Sequence, residues 1–169
     1  MRAPSIRIRS EEEPDFPAIH DLTRRAFAPM PFSAGDEPDL IDALRRLGAL
    51  ELSLVAELDG AVVGHVAISP AAHESGAGGW FALGPISVEP ALQRCGAGGA
   101  LIAEVRRWLS DHGAHGCILT GDPRYYPRHG FQPAPGHAPE AEPAGFFMVL
   151  PLAGDIPAGR FRFHPAFGA

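Results

Sequence analysis

The chain has 169 residues, 46% of them hydrophobic and 20% charged, which suits one soluble domain with a single core. A formal net charge of −6 argues against a surface for nucleic acid or anionic membrane, both of which are bound largely through Lys and Arg. All 14 basic residues are Arg, and without Lys there is neither Schiff-base chemistry nor a Walker phosphate loop.

The opening MRAPSIRIRSEEE carries no apolar leader core, and no run approaches the ~18 apolar residues of a membrane span, so a cytoplasmic protein is expected. Within that opening, SIRIR reads as a short strand. Phe16, Ile19, Leu22, Ala26 and Phe27 then recur at helical spacing, as do Leu40, Ile41, Leu44 and Leu47. Two amphipathic helices follow from this, joined by a loop at APMPFSAG. Leu52, Leu54, Ala56 and Leu58 alternate, Asp59-Gly60 is a hairpin turn, and Val62, Gly64, Val66 and Ile68 alternate again. PAAHESGAGG reads as a connecting loop. WFALGPISV is a further strand, and because Pro cannot donate to a ladder, a bulge or splay is expected at Gly84-Pro85.

Leu101, Ile102, Val105, Trp108 and Leu109 form the stripe of a helix that ends near Gly113. CILTG is a buried strand, DPRYYPRHGF a turn or short helical piece, and GFFMVLPL a late strand. QPAPGHAPEAEP reads as a loop too short to link domains, and RFRFHPAF as a strand end or surface strap. The whole chain, 1–169, is expected to form one domain. Cys95 and Cys117 are the two cysteines; no pair has metal-ligand spacing, so neither a zinc site nor a disulfide framework is expected. Cys117 reads as core.

QRCGAGGAL, residues 93–101, crowds small residues between a strand and a helix. Such a turn is a generic anion cradle, since unpaired N–H groups and the positive end of the helix dipole face outward. It is equally a tight turn whose small residues serve packing alone. The dinucleotide fingerprint would want Gly or Ala where Leu101 stands; a methyltransferase-like turn is compatible with the spacing.

Two motifs decide between these. QRCGAG matches the Q/R-x-x-G-x-G/A pyrophosphate loop at Gln93, Gly96 and Gly98, and YYPRHGF matches a Y-x-x-x-G-F element at Tyr126, Gly130 and Phe131. In this order and at this separation the chain resembles the GCN5-related N-acetyltransferases (GNAT), and LGPISVEP, YYPRHGF and the tail FHPAF look most like their bacterial YhbS-like branch. The resemblance implies an α/β (α+β mixed) fold: a mostly antiparallel mixed sheet, splayed between its central strands and flanked by helices. It implies transfer of an acetyl group from acetyl-CoA to an amine by direct attack in a ternary complex, with no metal. The amine would be a small molecule or a protein or peptide amino group, and the protein a monomer or homodimer. A GNAT-like module that binds acyl-CoA without turnover is the alternative.

On that resemblance the pyrophosphate would lie on the amides of Cys95, Gly96, Ala97, Gly98, Gly99 and Ala100, helped by the Arg94 guanidinium. Pantetheine would dock along Ile86 and Val88 by β-like hydrogen bonds, with Ser87 on the opposite face. Tyr126 matches the family's proton donor to the departing thiolate, and Tyr125 is its neighbour and fallback. The base that must deprotonate the amine has no clear match. Glu89 ends the strand, and His65, opposite Val62, Val66 and Ile68, is placed to line an acceptor cleft or simply to be satisfied in the core; a water relay is the remaining route. His73, Glu74 and Asp122 are weaker candidates, in loops.

Overall fold

A computed structural model describes residues 5–168. These residues divide into two compact units, 5–68 with 84–105 and 69–83 with 106–168. The strands are β1 (Arg7–Ser10), β2 (Leu52–Leu58), β3 (Ala61–Pro70), β4 (Ala72–His73), β5 (Trp80–Val88), β6 (Gly116–Thr120), β7 (Gln132–Pro133), β8 (Phe147–Pro151) and β9 (Phe161–Arg162). The α-helices are α1 (Phe16–Phe27), α2 (Glu37–Arg46) and α3 (Ala97–Asp111). Seven strands run in the order β1-β2-β3-β5-β6-β8-β7, and β4 pairs with β9 separately. The β5–β6 pair is parallel, while β1–β2, β2–β3, β6–β8 and β7–β8 are antiparallel. This is the expected class, a mixed and mostly antiparallel sheet with helices.

In the first unit, Arg9 joins β1 to the approach to α1, its guanidinium gripping Asp15 at 2.7 and 3.0 Å. Acidic Glu37 and Asp39 open α2 and Arg45 and Arg46 close it, each sign placed to complement the helix dipole. Ile19 of α1 and Ile41 of α2 bury themselves against Val55 of β2. Leu47 was expected on the α2 stripe but is 60% exposed, because the helix stops at Arg46 and the chain turns at Gly48, φ 68°. The β2–β3 hairpin turns at Asp59 and Gly60, with φ of 50° and 80°, the left-handed pair that the Asp-Gly sequence favours. Past the turn the register steps from Glu57↔Val62 to Ala56↔Gly64, leaving Val63 as a bulge. That extra residue reverses the alternation, so Val62 packs with Val55 instead of sharing a face with Val66 and Ile68.

In the second unit, Trp80, Ile118, Phe147, Val149 and Phe161 are buried together. Phe161 stands edge-on to Trp80, with ring centroids 4.7 Å apart, so the tail begins as a strand end whose first aromatic is core, while Phe163 and Phe167 are half-buried. Two expected loops contain structure. PAAHESGAGG includes β4, and QPAPGHAPEAEP includes β7 and buries Ala134 and Ala138. The β5–β6 ladder is confined to Trp80–Ala82 and Gly116–Ile118, and so ends just before Gly84-Pro85, a cis peptide, where an interruption was expected.

Candidate active site

The strand leading into the glycine turn alternates as expected: Ile86 and Val88 are half-buried, and Ser87 is buried with its hydroxyl unpartnered. Glu89 closes the strand, its N–H donating to Val63 O at 2.8 Å. Its carboxylate accepts from Arg25 of α1 at 2.6 Å, an ion pair that the sequence offers no local signal to find. One 3₁₀ turn, Pro90–Leu92, follows, and the Gln93 side chain reaches back to Val88 O at 3.4 Å. Arg94 holds a left-handed φ of 72°. For a residue with a Cβ this costs about 1–2 kcal/mol and marks a backbone held by its surroundings. Gly96, at φ 96°, has open space where a Cβ would lie.

The first ladder bond of α3 runs from Ala100 N–H to Gly96 O at 3.0 Å. Ala97, Gly98 and Gly99 therefore place their N–H groups ahead of the ladder, where the helix itself offers no acceptor. Two amides of the expected cradle are committed elsewhere. Cys95 N–H donates to Leu92 O at 3.3 Å, closing the preceding turn, and Ala100 N–H is the ladder bond just described. The donor set is thus shorter than the sequence suggested. Residues 93–96 are exposed, Cys95 included, whereas Ala97 is buried and anchors the helix start. A run of pre-ladder N–H groups, a glycine with open space and a neighbouring guanidinium fit a diphosphate.

Tyr125 and Tyr126 belong to the second unit. Asp122 starts their turn: its carboxylate accepts from Arg124 N–H at 2.8 Å, and its carbonyl accepts from Tyr125 N–H at 3.1 Å. A 3₁₀ turn, Tyr126–His129, ends at Gly130 with φ 94°, which explains the glycine of the motif. The Tyr126 ring packs edge-on to Tyr125 and Phe131, with centroids 5.0 and 5.9 Å away. Gly121 makes room for it, since a Cβ there would lie 2.5 Å from Tyr126 Cε2. Burial, followed by the neighbouring Tyr125 and Asp122, raises the Tyr126 phenol well above its ordinary value, so it remains protonated at neutral pH. Burial also raises Tyr125.

The base candidates are engaged. His65 has no exposed surface, so it does not line a cleft. It lies directly across from Val55, which packs with Ile19 and Ile41. His65 Nε2 meets Ser53 Oγ at 2.7 Å, and Ser53 Oγ donates to Glu11 at 2.5 Å. Glu11 in turn accepts from Arg45 at 2.8 and 3.0 Å. A cleft of about 270 Å³ opens beside this chain of contacts, but the Glu11 carboxylate and Arg45 guanidinium that line it are bound to each other. Burial holds the His65 imidazole down to about 4, from an ordinary 6.5. His73 is buried edge-on to Phe161, Glu74 accepts from Arg160 N–H at 2.8 Å, and Asp122 pairs with Arg124.

Comparison with known proteins accords with this geometry. The model of the Acetyltransferase (GNAT) family matches residues 10–131. The chain is 34% identical to the uncharacterized N-acetyltransferase YhbS of Escherichia coli K12, over 95% of this chain and 97% of that one. A GNAT family acetyltransferase from Brucella melitensis, solved in complex with acetyl-CoA, superposes with a TM-score of 0.86 at 41% identity, covering 97% of this chain and 99% of the other. YhbS from E. coli, solved in complex with CoA, gives 0.88 at 30% identity, covering 99% and 94%. The chain belongs to the GNAT family of acetyltransferases.

Proposed function

We propose that this chain is an acetyl-CoA-dependent N-acetyltransferase, acting as one domain in the cytoplasm and transferring acetyl directly to an amine in a ternary complex. The observation that carries the reading is the run of pre-ladder amides at Ala97, Gly98 and Gly99 behind the open Gly96, in a chain of this family. Relatives that match nearly the whole of this chain were solved with acetyl-CoA and with CoA. When bound, acetyl-CoA supplies an activated thioester carbonyl.

The chain's own groups then have distinct tasks. The amides of residues 96–99 and the Arg94 guanidinium hold the diphosphate, and the backbone of Ile86 and Val88 aligns the pantetheine. As the amine nitrogen bonds to the carbonyl carbon and the carbon–sulfur bond breaks, the Tyr126 hydroxyl gives its proton to the sulfur. The phenol carries that proton at neutral pH, and burial, by raising its pKa, makes the transfer depend on negative charge developing on the departing sulfur. The proton of the amine leaves through water, since Glu89, His65, His73, Glu74 and Asp122 are all held by other groups.

That same engagement of every candidate base favours a second reading, acyl-CoA binding without turnover. Two measurements separate them. Titration calorimetry with acetyl-CoA should register binding, and a chain giving no heat with acetyl-CoA or CoA would sink both readings. Free-thiol release over a panel of alkylamines, polyamines and peptide N-termini should then rise with one amine class; release indistinguishable from the amine-free rate would leave the binding module.

A further inference from the structure

Gly64 sits in the middle of β3 with an ordinary backbone φ, so its lack of a side chain answers no conformational need. Glycine inside a strand is costly, and where the backbone does not require it the reason is close approach of another group. Here the approach is from three elements, β2, α3 and β5. A Cβ built on Gly64 would lie 3.2 Å from Leu101 Cδ1, 3.1 Å from Ala56 Cβ and 3.4 Å from Ser87 O. Ala56 Cβ and Ser87 O are fixed to the backbones of β2 and β5. Leu101 belongs to the helix and is the one neighbour free to yield.

Leu101 and Ala97 are four residues apart on one face of α3, 0% and 1% exposed. Leu101 therefore rests on the space Gly64 leaves, one turn beyond the N–H groups of residues 97–99 that the same helix carries. We propose that Gly64 is a positioning residue: its missing side chain sets the height of the phosphate-binding turn over the sheet, and hence the affinity for coenzyme A. This rests on the acetyl-CoA reading above. Adding bulk at residue 64 lifts Leu101 and displaces the amides; the Ser87 carbonyl, on the strand assigned to pantetheine, is the other group of the site within its reach.

The test is coenzyme A titration and steady-state kinetics on the wild type, Gly64→Ala, Gly64→Val, Leu101→Ala and the double variant Gly64→Val/Leu101→Ala. Gly64→Val should weaken coenzyme A binding and raise the acetyl-CoA KM by about tenfold or more, in line with overpacking energies, while kcat at saturation holds. Removing the yielding side chain should restore affinity, so the double variant should bind within about threefold of Leu101→Ala alone, as a contact-mediated effect requires. If Gly64→Val does not fold, Gly64→Ala and Gly64→Ala/Leu101→Ala make the same comparison. Glycine-64 variants that lower the melting temperature but bind coenzyme A like the wild type overturn the positioning role. Weakening that persists after Leu101→Ala also overturns it. A wild type that takes up no coenzyme A overturns the proposed function, and the positioning role falls with it.

Discussion

Acid should unlock the first unit through His65. The imidazole is fully buried, with Nε2 on Ser53 and Nδ1 lacking any partner, so a second proton would place a charge against an unsolvated nitrogen. Arg45 lies on the far side of Glu11 and also opposes the charge, while Glu11 favours it more weakly than burial opposes it. In the unfolded chain this histidine takes up its proton near 6.5, and in the folded chain only near about 4. The unfolded state thus binds more protons between these values. Stability is complete above 6.5 and is lost as pH falls toward 4. At ~1.36 kcal/mol per pH unit the loss is about 3 kcal/mol, a large share of the ~5–15 kcal/mol that a domain possesses.

Urea unfolding followed by circular dichroism at about pH 7.5 and about pH 4 measures it, with His65→Gln as reference because Gln cannot be protonated there. Glu11, whose carboxyl burial raises but Arg45 and Ser53 hold low, with His65 the smallest contributor, also loses stability in acid, and does so largely alike in both proteins. The wild type should lose about 3 kcal/mol more than the variant over this interval. Equal losses in the two proteins would refute the account of His65 as a buried neutral group.

Three further outcomes are expected. Tyr126→Phe should lower kcat by about a hundredfold, the scale of general-acid assistance, with acetyl-CoA KM close to wild type; unchanged turnover would remove Tyr126 from the proton path. Gly98→Glu should abolish the calorimetric signal with coenzyme A, because it sets bulk and a negative charge among the amides of α3; retained affinity would refute the loop assignment. Gly116→Ala should destabilise the second unit by at least ~1–3 kcal/mol, since its Cβ would run into the Trp80 ring and lie 2.5 Å from Leu150 O. A melting temperature within about 2 °C of the wild type would contradict that packing.

The sequence disclosed those features whose signal is local. The stripes of α1 and α3, the Asp59-Gly60 turn and the glycines at 96 and 130 each arise from residues within a few positions of one another. The features it hid depend on distant partners or on a single extra residue. β4 and β9 are two residues each, too short for any periodicity to show, and exist only because Ala72 and His73 meet Phe161 and Arg162. The bulge at Val63 changed which side chains share a face, and so the reading of Val62. Arg25 and Glu89 pair across a wide stretch of chain with no motif to join them. For the phosphate turn, the motif located the residues, but only the backbone revealed that Cys95 and Ala100 spend their N–H groups internally.

Phe161 sits in a strand only two residues long, yet its ring completes the cluster around Trp80 and Phe147. Proteolytic cleavage between Leu152 and Phe161 would therefore loosen that ring from its neighbours and uncover an aromatic face, and such a face invites association with other chains.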